Sequence, residues 1–584
     1  MSSINLSLLF KRQIIDKTSD YLAKHSSLKN PDSVFKFEIP PDTKMGHLAL
    51  ACFPLASLLK KAPQKIASDL AEIWGKDPLF SDVKPVGPYL NFFIKGNYLA
   101  EQLLKTDLVE TGYGKGSLGR GKKIMIEFSS PNTNKPLHLG HGRNNLLGDV
   151  LSKLFLWCGY DVIRANLIND RGIHICKSML AYQKWSKGED PGSSGKKGDK
   201  LVGDYYVLYD QKSKENPELA LEASQMLRDW EQGKEDVISL WKKMNGWVLN
   251  GFQESYQRMG IVFDQYYYES ETYKGGREVI QAKLKEGVCQ LEENGAISID
   301  LEKEKLGTKI LLRSDGTSMY ITQDIQTTLT KFKDYPLERC FFVVGNEQDN
   351  HFRILFEVLK KFGYSWADHL EHISYGMITL PEGKMKSREG TVVDLDELMD
   401  EMANLALEEI QSRRTETGSG EGEEDEQTAE AIGQAAIRFY ILRTGALKEI
   451  QFNPRESLSF DGMTGPYLQY THARICSLFR KLDRQLDQEI DDEYPWQPDE
   501  ITLMVQLSRF PDIVLQGAQD RNPAVLCGYL YDLCRSFNKY YYDNPIIKAK
   551  DESTVLGRVK LSGATRSVLA RGLEILGIKA LERM

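Results

Sequence analysis

The sequence contains 584 residues, of which 41% are hydrophobic, and it carries a formal net charge of -8. This length predicts several domains, and no apolar run is long enough for a membrane span. The eight cysteines lie in apolar contexts without a CxxC pair, which favours buried thiols over a disulfide framework or a zinc site. We therefore expect a cytoplasmic multidomain protein without a structural metal, and the net charge excludes a uniformly basic nucleic-acid-binding surface.

The first 112 residues predict an α+β domain. The opening segment, residues 1–25, has the pattern of an amphipathic helix rather than of a secretion signal. A second helical pattern covers Pro63 to Trp74, and Val86 to Ile94 has the composition of a strand. Glycines then punctuate residues 111–121, which we interpret as a linker to the next domain.

A strand, a turn and a helix follow this linker. Residues 123–128 predict a buried strand, residues 130–136 a Pro/Asn-rich turn, and the helix is expected to begin near the last histidine of HLGH at residues 138–141. A helix start attracts phosphate through its unpaired N–H groups, and two imidazoles add donors. Gly140 and Gly142 lack the Cβ atoms that would hold a phosphate away. The sequence therefore predicts a nucleotide phosphate site, with two helix-capping histidines as the alternative.

A second strand, helix and loop lie further along the chain. Cys340 to Val344 predicts a strand and His351 to Phe362 an amphipathic helix, and both precede a lysine-rich loop, GKMKSREG, at residues 383–390. A solvated basic turn is the alternative for such a loop. Because each half supplies a strand, a helix and a phosphate-facing loop, residues 113–410 predict a Rossmann-like parallel sheet that binds ligand at the carboxyl ends of its strands.

The remaining segments predict an insertion, an acidic connection and a helical bundle. We expect a connective insertion at about 176–305, in which residues 186–200 form a loop by composition. Residues 411–431 predict an acidic mobile segment, because they offer little apolar surface. Residues 432–584 predict an all-α domain. Its helix at Asn522 to Tyr542 interleaves aromatic and basic side chains, as the recognition of unstacked bases requires, although core packing is the alternative for most of these aromatics.

The HLGH and KMKSR signatures resemble those of the class I aminoacyl-tRNA synthetases, and the chain is most similar to the arginyl-tRNA synthetase family. Four stretches carry this resemblance over nearly the full length: residues 129–136 (SSPNTNKP), 320–324 (YITQD), 347–351 (EQDNH) and 465–474 (GPYLQYTHAR). The loop departs from the usual signature, since Ser387 stands where a second lysine is expected. Arginyl enzymes often lack that lysine, and the resemblance then lets Lys135, just upstream of HLGH, replace it.

The resemblance implies an arginine–tRNA ligase that activates L-arginine with ATP and transfers it to the terminal ribose of tRNA(Arg). The catalytic residues it implies are His138, His141, Lys135, Lys384 and Lys386. The ATP-binding residues it implies are Pro131, His138, Gly140, His141, Met385, Lys386 and Ser387. Mg²⁺ would accompany ATP, held largely by phosphates and water.

The choice of arginine also follows from side-chain chemistry. A guanidinium is planar and always charged, so a selective pocket needs carboxylates, and Asp324 and Glu269 are the candidates. Tyr320 lies four residues before Asp324, which predicts that both share one helix face. The resemblance implies that Asn132 and Gln348 bind near the α-amino group. Solvated carboxylates and, for Tyr320, half-buried core packing are the alternatives.

Both flanking domains are expected to contact tRNA. In the first domain the resemblance suggests Tyr89 and Asn91, with sheet packing as the alternative for Tyr89. The last domain is expected to bind the anticodon, and the candidates for that contact are Tyr467, Tyr470, Arg474 and Met584. We expect a monomer.

Two other functions are compatible with parts of this sequence. A nucleotidylyltransferase that acts on a small molecule also uses HxGH, but it has no need of a C-terminal helical domain. A synthetase paralogue without catalysis would be expected to have lost signature residues, and the histidines, basic loop residues and candidate carboxylates are all present here.

Overall fold

The computed structural model divides the chain into two compact units. The first unit contains residues 1–118, 157–159 and 459–584, and the second contains residues 119–156 and 160–458. The described residues are 5–25, 34–75, 77–105, 108, 112–273, 275–317, 319–381, 393–417, 424–482 and 488–584. Within these ranges, no helix combines the length and the apolar character that a membrane span needs.

The N-terminal part of the first unit is an antiparallel sheet with four helices. Its elements are α1 (Leu6–His25), β1 (Lys36–Glu38), β2 (Leu48–Ala51), α2 (Phe53–Leu59), α3 (Pro63–Ile73), β3 (Phe80–Val86), β4 (Tyr89–Ile94) and α4 (Gly96–Leu104). The strand order is β1-β2-β4-β3. The helix predicted at Pro63 to Trp74 is confirmed by α3. The single strand predicted at Val86 to Ile94 is instead the end of a hairpin, because Gly87 turns the chain with a φ of 57°.

The second unit contains a five-stranded parallel sheet. Its helices are α5 (Leu139–Trp157), α6 (Ile173–Trp185), α7 (Pro191–Ser194), α8 (Gly198–Glu215), α9 (Glu218–Glu231), α10 (Glu235–Arg258), α11 (Glu269–Thr272), α12 (Gly275–Lys285), α13 (Tyr320–Asp334), α14 (Asp349–Lys361), α15 (Leu395–Thr417), α16 (Glu424–Leu442) and α17 (Pro454–Ser457). Its strands are β5 (Lys123–Glu127), β6 (Asp161–Ile168), β7 (Gln265–Tyr268), β8 (Gln290–Leu291), β9 (Ile297–Leu301), β10 (Gly307–Leu312), β11 (Arg339–Gly345), β12 (Leu370–Tyr375), β13 (Ile378–Thr379) and β14 (Ile450–Gln451).

The sheet has the order β12-β11-β5-β6-β7, and all neighbouring strands are parallel. This confirms the predicted Rossmann-like fold. From the central strand β5 the chain continues to β6 and β7 on one side of the sheet and then crosses back to β11 and β12 on the other side. The carboxyl ends of β5 and β11 therefore form the switch point at which such sheets bind ligands.

The insertion between β6 and β11 is mostly helical, with a small antiparallel sheet of β8, β9 and β10. The loop predicted at residues 186–200 is wrong in part, because α7 covers residues 191–194 and α8 begins at Gly198. Asp190 caps α7 through Ser193 N. Gly198 packs directly on the backbone of Trp247. Capping and close helix packing thus use the same polar residues and glycines that composition assigns to a loop.

The acidic mobile segment predicted at residues 411–431 is wrong where the structure describes it. Helices α15 and α16 extend into it from both sides, while residues 418–423 lie outside the described residues. Within this run Ala429 is buried, and Glu430 pairs with Arg258 of α10 at 2.9 Å. Apolar positions at helical spacing therefore anchor the acidic sequence to the second unit.

The C-terminal part of the first unit is a helical bundle, as predicted. Its helices are α18 (Gly465–Lys481), α19 (Pro498–Ser508), α20 (Phe510–Gln519), α21 (Ala524–Asp543) and α22 (Glu552–Leu576). Helix α4 packs on α19 and α22, and α1 packs on α20, so the N-terminal sheet and this bundle form one compact unit. The unit boundary falls at residue 459 rather than at the predicted 432, because α16 packs on α15. Tyr529, Phe537 and Tyr540 are buried, which confirms core packing for these aromatics.

Gly148 provides a test of this packing. It lies in α5 against Phe128, and a Cβ at this position would overlap the Phe128 ring. We expect Gly148→Ala to lower the free energy of unfolding by about 1–3 kcal/mol, because a packed core accepts an added methyl group only with strain.

Gly246 in α10 is the matched control, since no atom lies within 4 Å of the place where its Cβ would stand. Gly246→Ala is expected to raise the free energy of unfolding by about 0.5–1 kcal/mol, because alanine favours a helix interior. Denaturant unfolding followed by circular dichroism measures both variants. Equal shifts in the two would contradict the packing described for Gly148.

Candidate active site

The chain leaves the central strand β5 through a strained turn. Ser129 and Ser130 both have left-handed backbone angles, with φ values of 77° and 47°, which residues other than glycine rarely adopt. Asn144 Oδ1 accepts from Ser129 N at 2.5 Å, and Asn166 Oδ1 accepts from Ser130 N at 3.2 Å. The hydroxyl groups of Ser129 and Tyr256 lie 2.7 Å apart. This buried network holds the turn and directs the following residues across the carboxyl edge of the sheet.

The residues after the turn join the loop that follows β6. Asn132 forms a parallel bridge with Asn169, and Asn169 N donates to Pro131 O at 3.0 Å. The ring of Pro131 is buried, whereas the Asn132 side chain is exposed. Asn132 is therefore accessible at the carboxyl edge of the sheet, and Pro131 supports the loop beneath it.

Two backbone hydrogen bonds fix the tautomers of the HLGH imidazoles. Gly140 N donates to His138 Nδ1 at 3.1 Å, and His138 N donates to His141 Nδ1 at 3.2 Å. A ring nitrogen that accepts carries no proton, so each neutral ring has its proton on Nε2. Burial lowers the pKa of His138 to about 4 and lowers the pKa of His141 well below its ordinary value. Both rings are thus neutral at neutral pH and offer an Nε2–H donor.

The helix start differs from the prediction. Helix α5 begins at Leu139, two residues before the predicted position near His141. Its first N–H groups already have protein partners, since Leu139 N donates to Val393 O at 2.9 Å and Gly140 N donates to His138 Nδ1. The imidazoles, rather than these amides, are therefore the donors that can reach a phosphate.

The structure gives the two glycines a packing role. A Cβ at Gly140 would crowd the His138 ring, and a Cβ at Gly142 would crowd the Leu395 side chain. Gly140 therefore leaves room for the imidazole, and Gly142 lets α15 approach α5. Access of a phosphate to the helix start stays a prediction for both glycines.

The residues that follow the KMKSR loop lie beside HLGH. His138 and Asp394 form an antiparallel bridge, and Leu395 N donates to Leu137 O at 3.0 Å. Residues 382–392 lie outside the described residues, and with them four predicted site residues, Lys384, Met385, Lys386 and Ser387. The structure therefore places the start of α15, directly after this stretch, at the first signature.

Lys135 lies close to both imidazoles. Its charge contributes, after burial, to the lowered pKa values of His138 and His141. Burial also lowers the pKa of Lys135 itself. Gly203 of α8 packs against Pro136, so the backbone beside Lys135 is held by the insertion. A cation thus stands beside the two neutral donors.

Tyr320 and Asp324 lie at the start of α13, one turn apart, as predicted. Tyr320 is 82% exposed, which contradicts the core-packing alternative. Asp324 Oδ2 pairs with His351 Nε2 at 2.6 Å, and this hydrogen bond raises the pKa of His351. Sequence reasoning missed His351, although it ends the EQDNH stretch that carried the resemblance.

Glu269 follows β7 directly and opens α11. Burial raises its pKa to about 7, against the charge of Arg171 and with support from Asp170 and Asp324. With its amide oriented to satisfy both neighbours, Gln323 donates to Glu269 Oε1 at 2.9 Å and accepts from Arg171 at 3.2 Å. Glu269 is therefore a covered carboxylate rather than a solvated one. Its interaction with Asp324 brings the two candidate carboxylates into one site.

Two further residues complete this edge of the sheet. Arg171, which sequence reasoning also missed, pairs with Glu231 at 2.8 Å and lies 4.0 Å from the centroid of the Tyr273 ring. Its position directly after β6 was the available signal, because strand ends of parallel sheets carry ligand-facing residues. Gln348 ends an exposed 3-10 turn, Asn346–Gln348, between β11 and α14.

In the first unit, the residues predicted to contact the anticodon share a polar network. Arg474 donates to Asn538 Oδ1 at 2.5 Å and to the Tyr470 hydroxyl at 3.2 Å. Asn538 Nδ2 donates to the Tyr467 hydroxyl at 3.0 Å. Sequence reasoning missed Asn538, which links these three side chains. Met584, also predicted, is 41% exposed.

The two residues predicted to contact tRNA from the N-terminal sheet have different environments. Asn91 is only 2% exposed and donates to Met45 O at 2.8 Å, so its amide is covered by the chain. Tyr89 is half-buried against Phe53, with ring centroids 5.8 Å apart, and Phe53 is 54% exposed. The sheet therefore presents an exposed aromatic pair beside a covered amide, and the tRNA contacts of Tyr89 and Asn91 stay predictions.

A parallel sheet that carries an HLGH helix and holds the end of a lysine-rich loop against it defines a class I aminoacyl-tRNA synthetase. A family model described as the catalytic domain of class I tRNA synthetases (R) matches residues 104–453. The models for the arginyl tRNA synthetase N terminal domain and the DALR anticodon binding domain match residues 12–94 and 468–584. The chain belongs to the arginyl-tRNA synthetase family, and it is an enzyme of the ligase class.

Relatives and solved structures agree with this assignment. An arginine–tRNA ligase of Treponema denticola is 45% identical over 98% of this chain and 99% of its own length. One of Porphyromonas gingivalis is 42% identical over 92% of this chain and 94% of its own. The arginyl-tRNA synthetase structure of Thermus thermophilus has a TM-score of 0.83 and 26% identity, with 98% of this chain and 100% of that chain covered. These matches favour ligase activity over the nucleotidylyltransferase alternative.

The tautomers assigned to the HLGH histidines can be observed directly. We expect both His138 and His141 to remain neutral, with the proton on Nε2, between about pH 5.5 and 8, because burial keeps their pKa values low. Nitrogen-15 NMR of the imidazoles, assigned with single His→Gln variants, distinguishes the tautomers. A protonated His138 ring at about pH 6 would contradict the assignment. His351 is the internal comparison, since its raised pKa favours the charged form at this pH.

Proposed function

We propose that this site forms arginyl-adenylate from ATP and L-arginine and then transfers arginine to the terminal ribose of tRNA(Arg). The observation that carries this proposal is a pair of neutral imidazoles with Lys135 at the carboxyl edge of the sheet, with Asp324 and Glu269 at the same edge. In the first step the arginine carboxylate attacks the α-phosphorus and pyrophosphate leaves. The protein therefore has to position reactants and stabilise charge on phosphate oxygens, and it needs no nucleophile of its own.

His138 and His141 would donate from Nε2 to phosphate oxygens. Because both rings are neutral, their hydrogen bonds strengthen as charge develops in the transition state without placing fixed cations in a buried place. Lys135, Lys384 and Lys386 would supply the cations that clamp the phosphates. Gly140 and Pro131 would shape the ATP site from below, and the loop would add Met385 and Ser387. Mg²⁺ enters this proposal as part of the ATP substrate, since phosphates and water provide most of its ligands.

Arginine recognition is assigned to the neighbouring strands. Asp324 and Glu269 would pair with the guanidinium, and the exposed ring of Tyr320 would pack along it. Asn132 and Gln348 would bind near the α-amino group. Amino acids that leave a covered carboxylate unpaired would be rejected strongly.

Contacts with tRNA are assigned to the first unit. The Tyr467, Tyr470 and Arg474 network combines aromatic faces with a guanidinium, which suits splayed anticodon bases, and Met584 would lie near them. Tyr89, paired with the exposed Phe53, would contact tRNA from the N-terminal sheet. We further propose a monomer that works in the cytoplasm, where thiols such as the eight free, buried cysteines stay reduced.

The central test is amino-acid-dependent exchange of pyrophosphate into ATP, measured for each standard amino acid with and without total tRNA. Exchange with arginine alone supports the proposal. Exchange with another amino acid, or transfer of a nucleotidyl group to a small molecule, would contradict it.

Asp324→Asn tests the pocket. We expect kcat/KM for arginine to fall by at least about 100-fold, because the guanidinium loses a charged partner in a partly covered site. Asp236→Asn is the control, since it makes the same change at an exposed site of α10, and its activity should be unchanged. Wild-type kcat/KM in Asp324→Asn would remove this residue from the pocket.

His141→Ala tests the phosphate donors. We expect kcat for adenylate formation to fall by about 10² to 10³, with little change in the Kd of arginine, because the lost hydrogen bond acts mainly in the transition state. His369→Ala, at an exposed site before β12, is the control and should retain activity. A loss of arginine affinity that matches the loss in kcat would argue against a role in the transition state.

A further inference from the structure

We infer that His351 positions Asp324 for the substrate guanidinium and releases its proton to solvent when arginine binds. This inference rests on the proposed arginine pocket and adds a positioning residue to it. His351 touches the carboxylate, not the reacting atoms.

The geometry selects one carboxylate oxygen. His351 Nε2 lies 2.6 Å from Asp324 Oδ2, and their side chains are 27% and 33% exposed. Within the described part of the chain, Asp324 Oδ1 accepts no hydrogen bond. The imidazole therefore holds the carboxylate in one orientation and leaves Oδ1 for an incoming donor. A carboxylate has lone pairs on both oxygens, so a guanidinium can engage Oδ1 while the histidine stays on Oδ2.

The ring itself is held on other sides by packing. Phe352 meets it edge-on, with centroids 5.7 Å apart and an interplanar angle of 87°. His351 sits in the first turn of α14 and Asp324 in the second turn of α13, so both partners belong to regular elements of the second unit. Such placement fixes distances better than a loop does.

Few charged groups face His351. From α13 it faces Asp324, and from β12 it faces His372, whose own pKa is lowered by burial. His372 Nε2 donates to Val344 O at 3.0 Å, and its Nδ1 lies 3.4 Å from Asp349, which precedes His351 on α14. The other carboxylates that face α14 are paired at its far end, where Glu304 binds Lys361 and Asp368 binds Lys360. Asp324 is therefore the charge that governs protonation of His351.

The direction of the coupling follows from this arrangement. Without substrate, the Asp324 carboxylate stabilises the imidazolium and raises the pKa of His351. A bound guanidinium neutralises the same carboxylate and repels the imidazolium, so the ring loses its proton. Arginine affinity should then be constant above the pKa of His351 in the free enzyme and should fall about tenfold per pH unit below it.

Glu269 titrates in the same range and has to be separated from His351. Burial raises its pKa to about 7, and a guanidinium favours its ionised form, so Glu269 also releases a proton when arginine binds. The test therefore compares variants of His351 at constant Glu269. His351→Gln keeps a hydrogen-bond donor and removes the titration, whereas His351→Phe removes both.

The experiment is calorimetric titration with arginine between about pH 5.5 and 8, in buffers of different ionisation enthalpy, which counts the protons released. We expect His351→Gln to release up to one proton fewer than wild type at the acidic end, with a Kd near wild type at about pH 8. His351→Phe should weaken binding by at least about tenfold at about pH 8, where His351 of wild type is neutral, because the carboxylate loses its orientation. His369→Gln is the matched control and should behave as wild type.

Two results would overturn the inference: unchanged proton release in His351→Gln, or wild-type affinity in His351→Phe at about pH 8. Far-UV circular dichroism and the Kd of ATP show whether each variant is folded, and His351→Gln decides the question alone if His351→Phe is not. Asp324→Asn separates this inference from the proposed pocket. If Asp324→Asn abolishes arginine binding while His351→Gln releases protons as wild type does, the pocket stands and the inference fails. If Asp324→Asn binds arginine normally, the pocket itself is wrong.

Discussion

The active site depends on one buried guanidinium. Arg143 follows HLGH in α5, is 0% exposed, and donates to the carbonyl oxygens of Gly376, Met377, Ala446 and Lys448 at 2.6 to 2.8 Å. The first two carbonyls precede the KMKSR loop, and the other two belong to the turn between α16 and β14. Burial lowers the pKa of Arg143 to about 10, so it remains charged at neutral pH. Four carbonyl dipoles replace its hydration, and losing them would leave an uncompensated buried charge. The helix that carries the imidazoles and the segments beside the loop therefore keep one geometry.

Around this clamp, burial divides the site into two electrostatic halves. At the phosphate half it keeps His138 and His141 neutral, so that they act as donors. At the amino-acid half, covered and partly covered carboxylates await a cation, and burial holds Glu269 near the point of ionisation. A ligand that leaves the polar groups of either half without a partner binds at a cost in free energy, because buried polar groups need partners. If the proposed function is right, selectivity for a nucleotide on one side and a guanidinium on the other follows from which polar groups the fold has buried.

The sequence predicted the parallel sheet and the phosphate signature well, because hydrophobic period and strand–turn–helix order are local signals. The sequence did not reveal contacts between residues that are far apart in the chain. Gly142 makes room for Leu395, and Asn91 is covered by the chain at Met45. The acidic run before α16 folds because a few apolar positions find a surface on α15. His351 belongs to the EQDNH stretch, but its hydrogen bond to Asp324 is visible only in the structure. Composition describes a segment by itself, whereas packing depends on what lies opposite.

The division of the chain into units also sets the order in which it can fold during synthesis. The first unit is assembled from both chain ends, and Ser7 and Lys11 of α1 both bond to Asp512 at 2.6 Å, some five hundred residues away. A ribosome adds on the order of 5–20 residues per second, so α1 waits on the order of 25 to 100 s for this partner. The second unit lies between these two ends of the chain and is complete at residue 458, before residues 459–584 of the first unit are synthesised. The nascent protein therefore carries a finished second unit while the side of its N-terminal helix that packs on α20 still lacks this partner.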